Sequence, residues 1–95
     1  MNAKAKGTRA EHRAMRILEA AGYVCTRAGA SLGLFDVIAV GPADVRLVQV
    51  KAGTKYLSGV EREQILALAV PANVSREVWR FPDRCRAPLI ERLTA

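Results

Sequence analysis

Residues 34–51 read LFDVIAV, then GPAD, then VRLVQVK. Two short apolar runs flank a turn, which is the pattern of a β-hairpin. Three residues do not belong in a plain strand pair: Asp36, Gln49 and Lys51. Side chains alternate along a strand, so Leu34, Asp36, Ile38 and Val40 share one face of the first run. Leu47, Gln49 and Lys51 share one face of the second. If those faces match, an acid, an amide and an amine meet on one patch. Asp is depleted in strands, so Asp36 inside an apolar run goes against local propensity. Such conflicts are expected at functional sites.

The rest of the chain limits what that patch can be. Ninety-five residues make one small domain, with no room for a second core. Lys and Arg outnumber Asp and Glu by 15 to 9, a net charge of +6, which points to nucleic acid or another polyanion. A basic protein without such a ligand would show the same balance. Cys25 and Cys85 lie far apart and form no CxxC pattern, which argues against a disulfide framework and a zinc site. Free thiols suit a reducing compartment, so a cytoplasmic location is expected, the host's if a phage encodes the chain. No apolar run is long enough to span a bilayer, and no membrane partner is expected.

Met1 to Lys6 reads as a loose tail and Thr8 to Ala21 as a helix. Thr8 is the candidate N-cap, Glu11 completes a T-x-x-E capping box, and Gly22 supplies the stop. Ala10, Ala14, Ile17, Leu18 and Ala21 form the apolar stripe. Arg9, Arg13 and Arg16 gather on the opposite face. Glu11 falls within the apolar sector. It reads either as a cap that suits the helix dipole or as an acid aimed at the sheet. Tyr23 to Arg27 reads as a strand. The small residues Ala28 to Gly33 follow, where Ser31 either contacts a phosphate or satisfies a turn. Arg27 is a phosphate contact or an exposed strand-end charge.

Ser58 and Glu61 form a second capping box, opening a helix from Gly59 to Ala69 with Ile65, Leu68 and Ala69 inward. Pro71 ends it. Glu77 to Phe81 alternates as a last strand, with Trp79 as core, and Leu89 to Leu93 reads as a terminal turn. The order is αβββαβ. The expected fold is α/β, a mixed sheet with a helix on each face.

With Glu11 on the first helix, Asp36 on a strand and Gln49-Val50-Lys51 one strand later, the chain resembles the PD-(D/E)xK nucleases. The spacing here is D-x12-QxK. Within that superfamily it is most similar to archaeal-type and phage Holliday junction resolvases. The likeness rests on Gly7-Thr8-Arg9-Ala10-Glu11, Arg27-Ala28-Gly29-Ala30-Ser31, Leu34-Phe35-Asp36-Val37-Ile38 and Val48-Gln49-Val50-Lys51. It implies a restriction-endonuclease-like core and a homodimer that hydrolyses DNA at four-way junctions with paired, symmetric nicks.

The resemblance implies Asp36, Gln49, Lys51, Glu11 and Ser31 as catalytic residues. Asp36, Gln49, the Val50 carbonyl and Glu11 would hold Mg²⁺, with Mn²⁺ as a substitute. Arg9, Arg13, Arg16, Arg27 and Lys55 would contact DNA. Phosphodiester hydrolysis needs neutralised charge and an activated water, and a divalent metal supplies both. Gln49 stands where most relatives carry Glu, so the site has one anion fewer. Lys51 orients water or stabilises charge, or else it is a strand-end residue snorkelling to solvent. Two other readings remain open: a nicking, restriction or flap-type nuclease, and an inactive DNA-binding module on the same fold.

Overall fold

The computed structural model describes residues 3–28 and 33–94. The elements run α1 (Ala3–Ala20), β1 (Val24–Arg27), β2 (Val37–Val40), β3 (Val45–Ala52), α2 (Gly59–Ala67), β4 (Val74–Phe81) and β5 (Leu89–Arg92). They form one five-stranded sheet whose spatial order follows the chain order. β1, β2 and β3 make an antiparallel meander. The α2 crossover then makes β4 parallel to β3, and β5 returns antiparallel to β4. A parallel neighbour requires such a crossover.

The turn at 41–44 joins β2 to β3 where the sequence placed it, with the Gly41 N–H donating to Asp44 at 2.8 Å. Val37 and Ala39 of β2 and Val48 and Val50 of β3 face α1. There they bury Ala10, Ala14 and Leu18 together with Trp79 and Phe81. The small alanines let α1 lie close to the sheet. On the opposite face Ile65 of α2 packs with Phe35, Val78 and Leu93. Trp79 is core, as its alternation implied.

Four expectations are corrected. The first helix starts at Ala3, so residues 3–6 are helical and not a tail. Thr8 therefore lies inside the helix and cannot cap it, and the Thr8–Glu11 box does not exist. Ala and Lys are strong helix formers. Tertiary contacts add to this, because Lys6 is ion-paired with Asp83 and lies over Gly53. Gly53 has φ +66°, and its N–H donates to Phe81 at 3.0 Å, closing the turn that follows β3. A side chain there would meet Lys6 within 2.9 Å.

The second strand starts at Val37, leaving Asp36 just outside it. α2 stops at Ala67, and Leu68 and Ala69 are exposed. Residues 89–92 form an edge strand instead of a turn, because β4 offers them a pairing edge.

Candidate active site

The Asp36 N–H donates to the Val48 carbonyl at 2.8 Å, although Val48 is already the partner of Val37. Asp36, just ahead of β2, and Val37, its first residue, thus both oppose Val48, as in a β-bulge. A bulge re-aims side chains, and here it breaks the expected alternation. Phe35 turns inward against α2. Asp36 does not share a face with Leu34 and Ile38, as simple alternation required. It turns towards α1, where it lines a cleft with Glu11. The Val50 N–H donates to Asp36 Oδ2 at 2.8 Å, so the carboxylate is fixed to β3 by backbone.

That cleft is walled by Asp36, Gln49, Val50, Lys51 and Lys55 on the sheet side and by Lys6, Gly7 and Glu11 of α1. Asp36, Gln49 and Lys51 therefore meet around the start of β2 and the end of β3, and not on one flat face. An adjoining cleft shares Gly7, Glu11 and Asp36 and continues to Arg27 and Ala28. Ser31 lies outside the described residues. Lys6 walls the cleft from α1, although a tail was expected there. The signal was the run Ala3-Lys4-Ala5-Lys6, which has high helix propensity and continues into the helix.

Glu11 accepts a hydrogen bond from Arg27 Nε at 2.7 Å, so each of these two candidates is the other's partner. Burial pushes the Asp36 pKa up. The Val50 N–H pulls it down, Glu11 raises it, Lys51 lowers it and Glu61 raises it, and the net direction is upward. Lys51 Nζ donates to Glu61 Oε2 at 2.9 Å and to Oε1 at 3.2 Å. Its side chain is 15 % exposed, so it does not snorkel freely to water.

Glu61 also accepts the Ser58 N–H at 3.0 Å, while the Glu61 N–H donates to Ser58 Oγ at 3.1 Å. The capping box is thus real. The Ser58 N–H foremost, and then Lys51, hold the Glu61 carboxyl below its ordinary value. Sequence reasoning found Glu61 as a cap but not as the partner of Lys51. The box itself was the signal, because it places Glu61 at the start of α2, a short loop beyond Lys51.

Arg9, His12, Arg13 and Arg16 form a basic face on α1. Arg13 also serves the fold. It donates to the carbonyls of Cys85 at 3.3 Å and Arg86 at 3.0 Å, and its guanidinium lies 4.9 Å from the Phe81 ring centroid. Lys55 is exposed beside the cleft.

Among the described residues no three His, Cys, Asp or Glu side chains converge to hold a metal alone. The oxygen donors around the cleft are mixed: two carboxylates, the Gln49 amide and the Val50 backbone. Such hard, carboxylate-poor surroundings fit Mg²⁺, which binds through one or two carboxylates and keeps several waters. The raised pKa of Asp36, owed first to burial, marks a carboxylate that a cation would favour in its charged form.

An acid at the opening of one strand and a lysine at the end of the next, on this helix-and-sheet core, define a PD-(D/E)xK-type nuclease. The chain belongs to the archaeal Holliday junction resolvase family: residues 2–81 match the family described as "Archaeal holliday junction resolvase (hjc)". No curated protein matches the sequence significantly. Among solved structures it is similar to the 1.6 Å resolution structure of Archaeoglobus fulgidus Hjc, a Holliday junction resolvase from an archaeal hyperthermophile. The TM-score is 0.73 and the identity 28 %, covering 92 % of this chain and 77 % of that one. Fold and family agree, and with them the function of a DNA endonuclease in recombination and repair.

Proposed function

We propose that the cleft between α1, the opening of β2 and the end of β3 is where this resolvase hydrolyses phosphodiester bonds of four-way DNA junctions. The observation that carries the assignment is the bulge, which removes Asp36 from the strand alternation and pins its carboxylate to Val50. Asp36, Gln49, the Val50 carbonyl and Glu11 are the residues to hold Mg²⁺, with Mn²⁺ as a substitute. When bound, the ion neutralises phosphate charge and lowers the pKa of water.

The chain's own groups do the rest. Lys51 presents an ammonium to the cleft, where it orients water and stabilises negative charge that develops on the phosphate. Glu11 is held by Arg27, so its carboxylate enters the cleft in a fixed direction. Arg27 and Ser31 are assigned to the phosphate next to the cut. Arg9, Arg13, Arg16 and Lys55 follow the backbone further along, positioning the duplex without reading bases. One cleft per chain and two strands to cut imply a two-fold homodimer.

A cleavage assay in Mg²⁺ tests the proposal, comparing a four-way junction with linear duplex, flap and single strand of matching sequence. Paired symmetric nicks confined to the junction are expected. Asp36→Asn should abolish cutting while junction binding remains. Cutting by that variant at the parent rate would overturn the site. Cutting of another DNA shape would replace the substrate.

A further inference from the structure

We propose that Glu61, at the start of α2, is a positioning residue of the nuclease site that holds the Lys51 ammonium in place. The inference rests on the site assignment above and adds a residue of α2 to it. Lys51 has a long, flexible side chain, and its placement needs a fixed counter-charge. β3 supplies none on that face, since the next residue along it is Gln49, which is neutral. The neighbouring position on β4 is Arg80, paired in register with Lys51 and of like charge. Arg80 is itself drawn aside, its guanidinium 3.9 Å from the Tyr56 ring centroid.

Glu61 is the carboxylate that reaches Lys51, and it does so with both oxygens, at 2.9 and 3.2 Å. Its own direction is fixed by the capping box, because Oε1 accepts the Ser58 N–H. A helix N-terminus also favours an anion there. The chain of constraint runs from Ser58 through Glu61 to Lys51, and so from the backbone of α2 to the cleft. Gln49 leaves β3 without an acid beside Lys51, and α2 provides one.

Two roles of Glu61 must be separated, the cap and the counter-charge. Glu61→Gln does so. A glutamine amide oxygen still accepts the Ser58 N–H, as capping boxes use Gln as well as Glu. Its NH₂ then replaces Oε2, so the ammonium loses the shorter of its two bonds and its counter-charge and keeps at most the longer contact to the amide oxygen. The variants are Glu61→Gln, Glu61→Asp and, as control for the site, Asp36→Asn. Each is measured for thermal midpoint and junction affinity without metal, and for single-turnover cleavage in Mg²⁺.

Glu61→Gln is expected to melt near the parent and bind the junction equally, yet cleave about 10- to 100-fold more slowly, the range found when a side chain that orients a metal ligand is lost. Glu61→Asp, which keeps the charge, should recover part of that rate. Parent-like cleavage by Glu61→Gln, with Asp36→Asn inactive, overturns the inference and leaves the site standing. A slow Glu61→Gln that has also lost its melting midpoint or junction affinity overturns it too, because the role is then structural. Parent-like cleavage by Asp36→Asn removes the site assignment and this inference with it.

Discussion

The Val50 N–H donates to the Asp36 carboxylate at 2.8 Å, so a side chain takes up a strand donor where the β2–β3 ladder ends. The bulge that allows this also buries Asp36 beside Glu11 and near Glu61. The site thus begins as a local conflict between backbone pairing and charge.

That conflict has a thermodynamic sign. Asp36 has a folded-state pKa raised above its ordinary value, chiefly by burial. The folded protein therefore holds the Asp36 proton more tightly than the unfolded chain does. The contribution to stability is present below the unfolded pKa and is lost as pH rises through the folded one. Asp36→Asn keeps an oxygen for the Val50 N–H and removes the buried charge. At neutral pH without metal, its thermal midpoint should rise by a few degrees. A scanning-calorimetry midpoint below the parent's would contradict this.

Glu77 gives the opposite sign. It is fully buried and takes both Arg46 Nε and Nη2 at 2.8 Å, Ser75 Oγ at 2.5 Å and Trp79 Nε1 at 2.9 Å. Burial alone would raise its pKa. The hydrogen bonds from Arg46, Ser75 and Trp79 outweigh burial, and the net direction is downward. Its stabilisation is present above the unfolded value and disappears as pH falls through the folded one. Urea unfolding across acid pH should show the loss in the parent, and a flatter profile in Glu77→Gln.

Removing the partner instead leaves a charge stranded in the core. Arg46→Ala should cost about 3–5 kcal/mol of unfolding free energy at neutral pH. The guanidinium also lies 5.4 Å from the centroids of both Tyr23 and Trp79, so aromatic packing is lost with it. Denaturant melts would read the difference directly. A cost below about 1 kcal/mol would show that Arg92, 3.5 Å from Glu77, takes over.

Arg16 lies exposed on the basic face of α1. If it touches one phosphate, Arg16→Ala should weaken junction binding and reduce the slope of log affinity against log salt by about 1. The loss should be the same for junctions of different sequence. A change in sequence preference would mean that it reads bases.

Gln49→Glu restores an anion to the cleft. Titration of Mg²⁺ or Mn²⁺ by calorimetry should show tighter binding or an altered preference. No change in either would place residue 49 outside the metal shell.

Much of this was legible in the chain. The hairpin, the Ser58–Glu61 box and the burial of Trp79 follow from local pattern, and Asp36 announced itself by defying strand propensity. The bulge was not legible, because a single register shift leaves no mark in residue type. Glu61 carried an adequate local explanation as a cap, which hid its partnership with Lys51. Glu77 entered only as the start of the last strand, and nothing local marks its burial, since its partner Arg46 is 31 residues away. T-x-x-E at Thr8 misled because the helix formers before it, held by Lys6 and Asp83, extend the helix past that point.

β3 carries the two chemistries at opposite ends. Arg46 anchors the buried charge network near its start, and Lys51 serves the cleft near its finish. Five residues of extended chain set them roughly 16 Å apart. Changes at sites so far apart, sharing no partner, combine additively. The strand therefore insulates durability from chemistry. Residues around the cleft, the neutral amide at position 49 among them, can change without drawing on the reserve that keeps the sheet folded.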